Sequence, residues 1–138
     1  MLDTSGLLIE FSTFVDDRGR LVVGERPRSL PFDVLRFFLI QDVPVGTSRG
    51  GHAHRVLHQF LIATSGRIRV DLTDGHDDAT VILDRRAVGL WIPPLLWATE
   101  QYLDADSVLL VLASESFDAS EYIDTLEEMR ELRNQCND

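Results

Sequence analysis

Three of the four histidines of this 138-residue chain fall within seven positions, in the stretch GTSRGGHAHRVLHQFLIATSG that runs from Gly46 to Gly66. Imidazole titrates near pH 6.5, so it can both take up and return a proton at neutral pH. His52 and His54 are separated by one residue; on a strand both rings point to one face, about 7 Å apart along the chain. Such a pair serves a metal ion, or works as an acid/base couple in which one ring accepts a proton while its neighbour donates one. Repulsion between two imidazolium ions keeps at least one of them neutral. The plainer alternative is a pair that only fills an interior. Gln59 can hydrogen-bond a ketone or a hydroxyl. His76 lies in the acidic turn DGHDD and reads as solvated surface.

The elements that must position these groups are short and β-like. LLIEFSTFV, RLVVGE, VLRFFLIQDV, HQFLIATSG, RIRVDLTDG, ATVILD, AVGLWIPP and SVLLVLAS follow one another, bounded by turn residues such as Ser65-Gly66 and Asp74-Gly75. In RIRVDLT, Ile68, Val70 and Leu72 face one way and Arg67, Arg69, Asp71 and Thr73 the other. Strands at this spacing predict a sandwich or barrel. The period changes near the end, where Tyr122, Leu126, Met129 and Leu132 recur at helical spacing. This predicts a helix over about 118–135, capped by Asp118 or Ser120 and packed on the outside of the β body.

The net charge of −10 disfavours a nucleic-acid partner, because a phosphate backbone calls for a positive field. The charge is uneven: residues 1–70 hold nine arginines against seven acids, and residues 71–138 hold four arginines against sixteen. A small anionic ligand is therefore expected to meet the first half, where arginine offers a planar fork suited to a diphosphate. No apolar run approaches the roughly 20 residues that span a bilayer, and MLDTSGLLIEF carries no signal or lipidation pattern, so no membrane partner is expected. One cysteine, Cys136, excludes a disulfide framework within the chain and points to a reducing cytoplasm.

The spacing from Gly46 through His52, His54 and Gln59 to Gly66 resembles the first motif of the cupin superfamily, G-x5-H-x-H-x3,4-E-x6-G, with Gln59 in place of the usual glutamate ligand. That resemblance implies an all-β double-stranded β-helix, the cupin jelly roll, as a single domain over 1–138 with the C-terminal α-helix appended. It also implies that His52, His54 and Gln59 line the barrel mouth, so that His58, of opposite parity to Gln59, points away from the cavity and reads as solvated surface. In the second-motif region, GLWIPPLLWATEQ, Gly89 and Pro93 or Pro94 survive, but Trp97 stands near the place of the fourth ligand. A neutral amide substitutes poorly for the lost carboxylate, so no metal is expected.

A narrower likeness runs from about Phe11 to Glu128. RGGHAHRVLHQFL, LTDG and LWIPPLLWATEQYLDADSVLLVLASESFDASEYI, preceded by DDRGRL and LPFDVLRFFLIQDVP, resemble the sugar 3,4-ketoisomerases of the cupin superfamily (WxcM-like, QdtA–FdtA type). The resemblance implies a dTDP-linked 4-keto-6-deoxyhexose as substrate, with migration of its keto group from C4 to C3 and no redox cofactor. It makes His52 and His54 jointly the base and proton shuttle, with His54 the preferred acceptor of the C3 proton. Arg49 becomes the candidate for a diphosphate or sugar contact, with Gly50 and Gly51 allowing close backbone approach. Trp97 could wall the sugar pocket or stack on thymine. Arg18 and Arg20 could reach the ligand, including that of a neighbouring subunit. A homodimer is implied, and the apolar LLIEF strand is compatible with exchange between subunits.

Two departures stand out. In RFFLIQDV, Leu39 and Gln41 occupy places where hydroxyl-bearing rings are expected, which removes a phenol from the proton route at C4. In FDASEYIDTLEEM, Asp124 replaces a common arginine. The alternatives are a nucleotide-sugar 3,5-epimerase, which normally pairs its histidine with a separate carboxylate and a tyrosine, a non-catalytic nucleotide-sugar-binding cupin, and a metal-dependent cupin oxygenase.

Overall fold

The computed structural model describes residues 1–137. Its strands are β1 (Leu8–Glu10), β2 (Ser12–Asp16), β3 (Gly19–Val23), β4 (Arg36–Ile40), β5 (Ser48–His54), β6 (Gln59–Ser65), β7 (Ile68–Thr73), β8 (Asp78–Leu83), β9 (Val88–Ile92), β10 (Trp97–Tyr102), β11 (Val108–Ala113) and β12 (Tyr122–Ile123); one helix, α1 (Leu126–Asn137), follows. Two five-stranded antiparallel sheets face each other, one ordered β1-β9-β6-β11-β4 and the other β12-β5-β10-β7-β8, with the β2–β3 hairpin apart. This is the expected jelly roll.

Alternation builds the interior. Along β7, Ile68, Val70 and Leu72 are sealed inward while Arg69 is exposed. They meet Leu61, Ala63, Leu90, Leu109 and Val111 of the opposite sheet in one core, with side chains of both inner faces interdigitating. The turn from β7 to β8 closes at Gly75, whose φ of +98° suits a residue without a Cβ.

A second cluster lies outside the first sheet, where Phe11, Phe32 and Phe60 pack with Ile9, Val22, Ile62 and Trp91. This cluster fastens the hairpin and the following loop to the sheet's outer face. His58 belongs with it: its ring stacks on Trp91 at 15°, and its Nδ1 accepts a hydrogen bond from Trp91 Nε1 at 3.1 Å. It does turn from the interior, but it is half-buried aromatic packing and not the solvated surface its parity suggested.

The end of the chain differs from the helix expected over 118–135. Ala119–Glu121 form a single 3₁₀ turn capped by Asp118, Tyr122–Ile123 extend as β12, and the α-helix begins only at Leu126, with Thr125 Oγ1 accepting from the Glu128 N–H. The cause is pairing: Tyr122 and Ile123 lie opposite His54 and Ala53, supplying the hydrogen bonds that the edge of β5 would otherwise lack. Behind β5, Ile123, Met129, Leu126, Leu132 and Trp97 pack around Ala53.

Candidate active site

His52 and His54 both point inward from β5, as do Ala98, Glu100 and Tyr102 from neighbouring β10. The two imidazoles lie edge to face with centroids 5.0 Å apart. The phenol of Tyr122 closes the group, its ring 4.8 Å from that of His52 and 4.9 Å from that of His54. Three rings that exchange protons or hydrogen bonds thus share one inner wall. His54 is 4% exposed, and neither of its ring nitrogens has a hydrogen-bond partner. A buried polar group is ordinarily bonded, so two free nitrogens on one buried ring set His54 apart from the rest of the interior.

From the facing sheet, Ile92, Gln59, Ala113 and Arg36 occupy one register row across β9, β6, β11 and β4, and so share the inner face. Gln59 is 8% exposed there, on the inner face that the cupin resemblance implied. Arg36 stacks its guanidinium over Phe38 and Phe117, and its Nε is buried without a partner. The positive charge of Arg36 acts on His54.

The electrostatics favour neutral bases. Burial, reinforced by His52 and by Arg36 and opposed by Glu121, holds His54 down at about 4. Burial also lowers His52, against the pull of Asp124 and the Gly50 backbone. At neutral pH each ring therefore carries one N–H donor and one free acceptor. Glu121 also holds the turn after β5, because its Oε2 accepts from the N–H groups of Val56 and Leu57 at 2.9 and 3.0 Å. Arg55 reaches the Ser120 carbonyl and Glu128, tying β5 to the C-terminal segment.

The other expected residues fall in different places. Trp97 is not in the cup: it faces the opposite way from Ala98 and packs beneath α1 with Ala53 and Ile123. Arg18 lies at the tip of the β2–β3 hairpin, chelated by Asp16, with Nη2 to Oδ2 at 2.7 Å. Arg20 is exposed on β3 opposite Val15; the hairpin leans on the outer face of the first sheet, so neither arginine faces this chain's own cup. Leu39, one of the positions where a ring was expected, points outward and is 53% exposed. Arg36, Phe38 and Ile40 are the inward members of β4. A phenol does reach the histidines, but from Tyr122 on β12. Arg49 is exposed on β5 opposite Glu100. Among the described residues no group of three or more His, Cys, Asp or Glu side chains is arranged to hold a metal ion.

A two-sheet jelly roll whose inner wall presents a histidine pair from β5 defines a cupin-type protein. The chain belongs to the FdtA family (WxcM-like, C-terminal), whose profile matches residues 4–134. It is 38% identical over 116 residues, 84% of each chain, to the TDP-4-oxo-6-deoxy-α-D-glucose-3,4-oxoisomerase of Aneurinibacillus thermoaerophilus. Its fold matches the sugar 3,4-ketoisomerase QdtA of Thermoanaerobacterium thermosaccharolyticum in complex with TDP, with TM-score 0.87 and 34% identity over 93% of this chain and 94% of that one. A histidine-to-asparagine variant of that enzyme holds TDP-4-keto-6-deoxyglucose. A Mycobacterium tuberculosis epimerase shares the fold alone, at 18% identity and TM-score 0.75 over 88% of this chain and 70% of that one.

Proposed function

We propose that this protein is a sugar 3,4-ketoisomerase acting on a dTDP-linked 4-keto-6-deoxyhexose. The observation that carries the reading is His54: a buried, neutral imidazole with both nitrogens free, facing His52 and Tyr122, in a chain 38% identical to a 3,4-oxoisomerase. The chemistry follows from the substrate. The C4 carbonyl acidifies the hydrogen on C3, so a positioned neutral imidazole can remove it. The C–H electron pair becomes the C3=C4 bond of an enediol while the C4 oxygen takes a proton. Collapse from the other end forms the C3 ketone, returns a proton to C4 and releases the O3 hydroxyl proton. C3 is oxidised as C4 is reduced, so the rearrangement balances internally.

His54 takes the C3 proton in this scheme, and His52 relays it. Tyr122 orients the sugar between them, Gln59 hydrogen-bonds an oxygen from the facing sheet, and Arg49 meets the diphosphate. The readout is an NMR time course of the protein with dTDP-4-keto-6-deoxyglucose in D2O. The 3-keto sugar with deuterium at the reprotonated carbon is the expected product. Deuterium at C3 and C5 without keto migration would instead identify an epimerase, and an unchanged spectrum with bound ligand would leave a binding protein.

The chain as a homodimer is part of the same proposal. Phe37 and Leu39 on edge strand β4, and Phe14, Val15 and Leu21 on the hairpin, are 53–66% exposed, large apolar side chains that a second copy would cover. Such a pairing is how Arg18 and Arg20 would come to a neighbouring cup. Light scattering should give twice the 15.6 kDa chain mass, and a monomer mass would reject this assembly. Among the described residues no helix is long and apolar enough to cross a membrane, and the single free Cys136 supports a cytoplasmic setting.

A further inference from the structure

The ketoisomerase scheme leaves one proton without a carrier. The imidazoles serve the carbons, yet a hydroxyl proton must also leave O3 and arrive at O4. One acidic side chain on the inner wall is unused. Glu100 lies on β10, two residues beyond Ala98, which pairs with His52, so its side chain points into the barrel along the same wall as the histidines. It is 9% exposed, and among the described residues no other side chain bonds or ion-pairs with its carboxyl group.

The backbone is shaped around that carboxyl. A Cβ on Gly50 would stand 2.1 Å from Glu100 Oε2 and 3.1 Å from its Cδ; Gly50 also has φ of +81°, and the β5–β10 register slips between Ala98 and Thr99 at this level. Gly50 is two residues before His52. The same irregularity that makes room for the carboxyl therefore adjoins the strand segment that aims the imidazole.

The groups facing Glu100 are few. Arg49 lies opposite it on β5 with His52 farther along, Tyr102 follows on β10 with its hydroxyl unpartnered, and β7 offers Val70, which is apolar. Burial dominates and pushes Glu100 up to about 7, with its own backbone N–H and Arg49 pulling the other way. A carboxyl held in its acid form has a donor on one oxygen and an acceptor on the other.

We propose that Glu100 carries the hydroxyl proton of the keto migration, donating from one carboxyl oxygen to O4 of the sugar and accepting from O3–H on the other. As His54 removes the C3 proton, the C4 carbonyl π pair takes the carboxyl proton and gives the enediol. As the C3 ketone forms, the O3 hydroxyl proton passes to the carboxylate, the proton that His54 took up goes to C4 by way of His52, and all three side chains return to their starting forms. This assignment rests on the ketoisomerase reading.

The test compares Glu100→Gln with the unaltered protein on dTDP-4-keto-6-deoxyglucose in D2O. Two rates are followed by NMR from pH 5 to 9: deuterium entry at C3 and appearance of the 3-keto sugar. The amide keeps the size and a hydrogen-bond donor but cannot pass a proton. Keto migration should fall about 10²-fold, while deuterium entry at C3 falls much less. The unaltered protein should lose rate as pH rises through about 7, because the carboxylate can no longer donate; this alkaline limb should be absent in the variant. A side chain that only balanced Arg49 would leave the ratio of the two rates and the limb unchanged, and that result overturns the proposal. If the unaltered protein binds the sugar nucleotide without either reaction, the ketoisomerase reading itself fails and takes this assignment with it. Far-ultraviolet circular dichroism establishes that the variant is folded, and Glu100→Ala, which also lacks the proton, should share its kinetic defect.

Discussion

His54→Asn should lose keto migration by about 10²- to 10⁴-fold, the range that a positioned general base supplies, while keeping its fold and its affinity for the nucleotide. The fold should survive because neither ring nitrogen of His54 bonds to any protein group; an asparagine there breaks no hydrogen bond of the native structure. The affinity should survive because the proposed diphosphate contact, Arg49, lies five positions earlier at the other end of β5. Asparagine retains a donor and an acceptor but cannot hold a proton, so deuterium entry at C3 should stop together with product formation.

The sign of the pH dependence is fixed by the environment of the ring. Burial and the neighbouring His52 and Arg36 disfavour imidazolium and hold His54 at about 4, below the 6.5 of a free side chain. The base is therefore present throughout the neutral range and is lost only as pH falls toward 4. A rate that declined with an ordinary midpoint near 6.5 would place the working base elsewhere.

Phe60→Ala should destabilise the chain by about 3–5 kcal/mol, the usual cost of truncating a buried aromatic ring. Phe60 is fully buried on β6, the central strand of its sheet, and faces outward beneath the hairpin and loop cluster. Its ring meets that of Phe11 at 5.6 Å and covers Gly89, where a Cβ would stand 1.9 Å from the Phe60 ring. The removed ring leaves a void between sheet and loop that neither can close, because Gly89 has no side chain to fill it. Denaturant unfolding should show a lower midpoint with an unchanged slope; a loss below about 1 kcal/mol would mean that the cluster does not hold the outer layer to the barrel.

The shared face of His52 and His54 was legible because it depends on parity within a single strand. Gln59 lies on β6 of the facing sheet, and its inward direction came from the motif resemblance and not from parity with the histidines. What escaped the sequence depends on partners far along the chain. Tyr122 lies in a stretch with helical periodicity and acidic neighbours; only the edge of β5, some 70 residues earlier, draws it into an extended pairing. Trp97 follows two prolines, and strand parity after such a turn is set by register with β5 and β7. The ring expected at Leu39 was placed one position out of phase, since Arg36, Phe38 and Ile40 are the inward residues. Glu100 is one of sixteen acids in residues 71–138, and its spacing does not single it out. Its isolation is a property of the barrel and of Gly50, and neither is visible in composition.

Ala53, between the two histidines, has no exposed surface and rests against Ile123 and Met129. Its side chain acts as a spacer whose thickness sets how closely the C-terminal segment lies on the back of β5. Tyr122 is the residue next to Ile123, so the standing of the phenol against the imidazoles is gauged by a single methyl group on the far side of the strand. The middle letter of His-Ala-His is thus a ruler for the cup, although it never faces it.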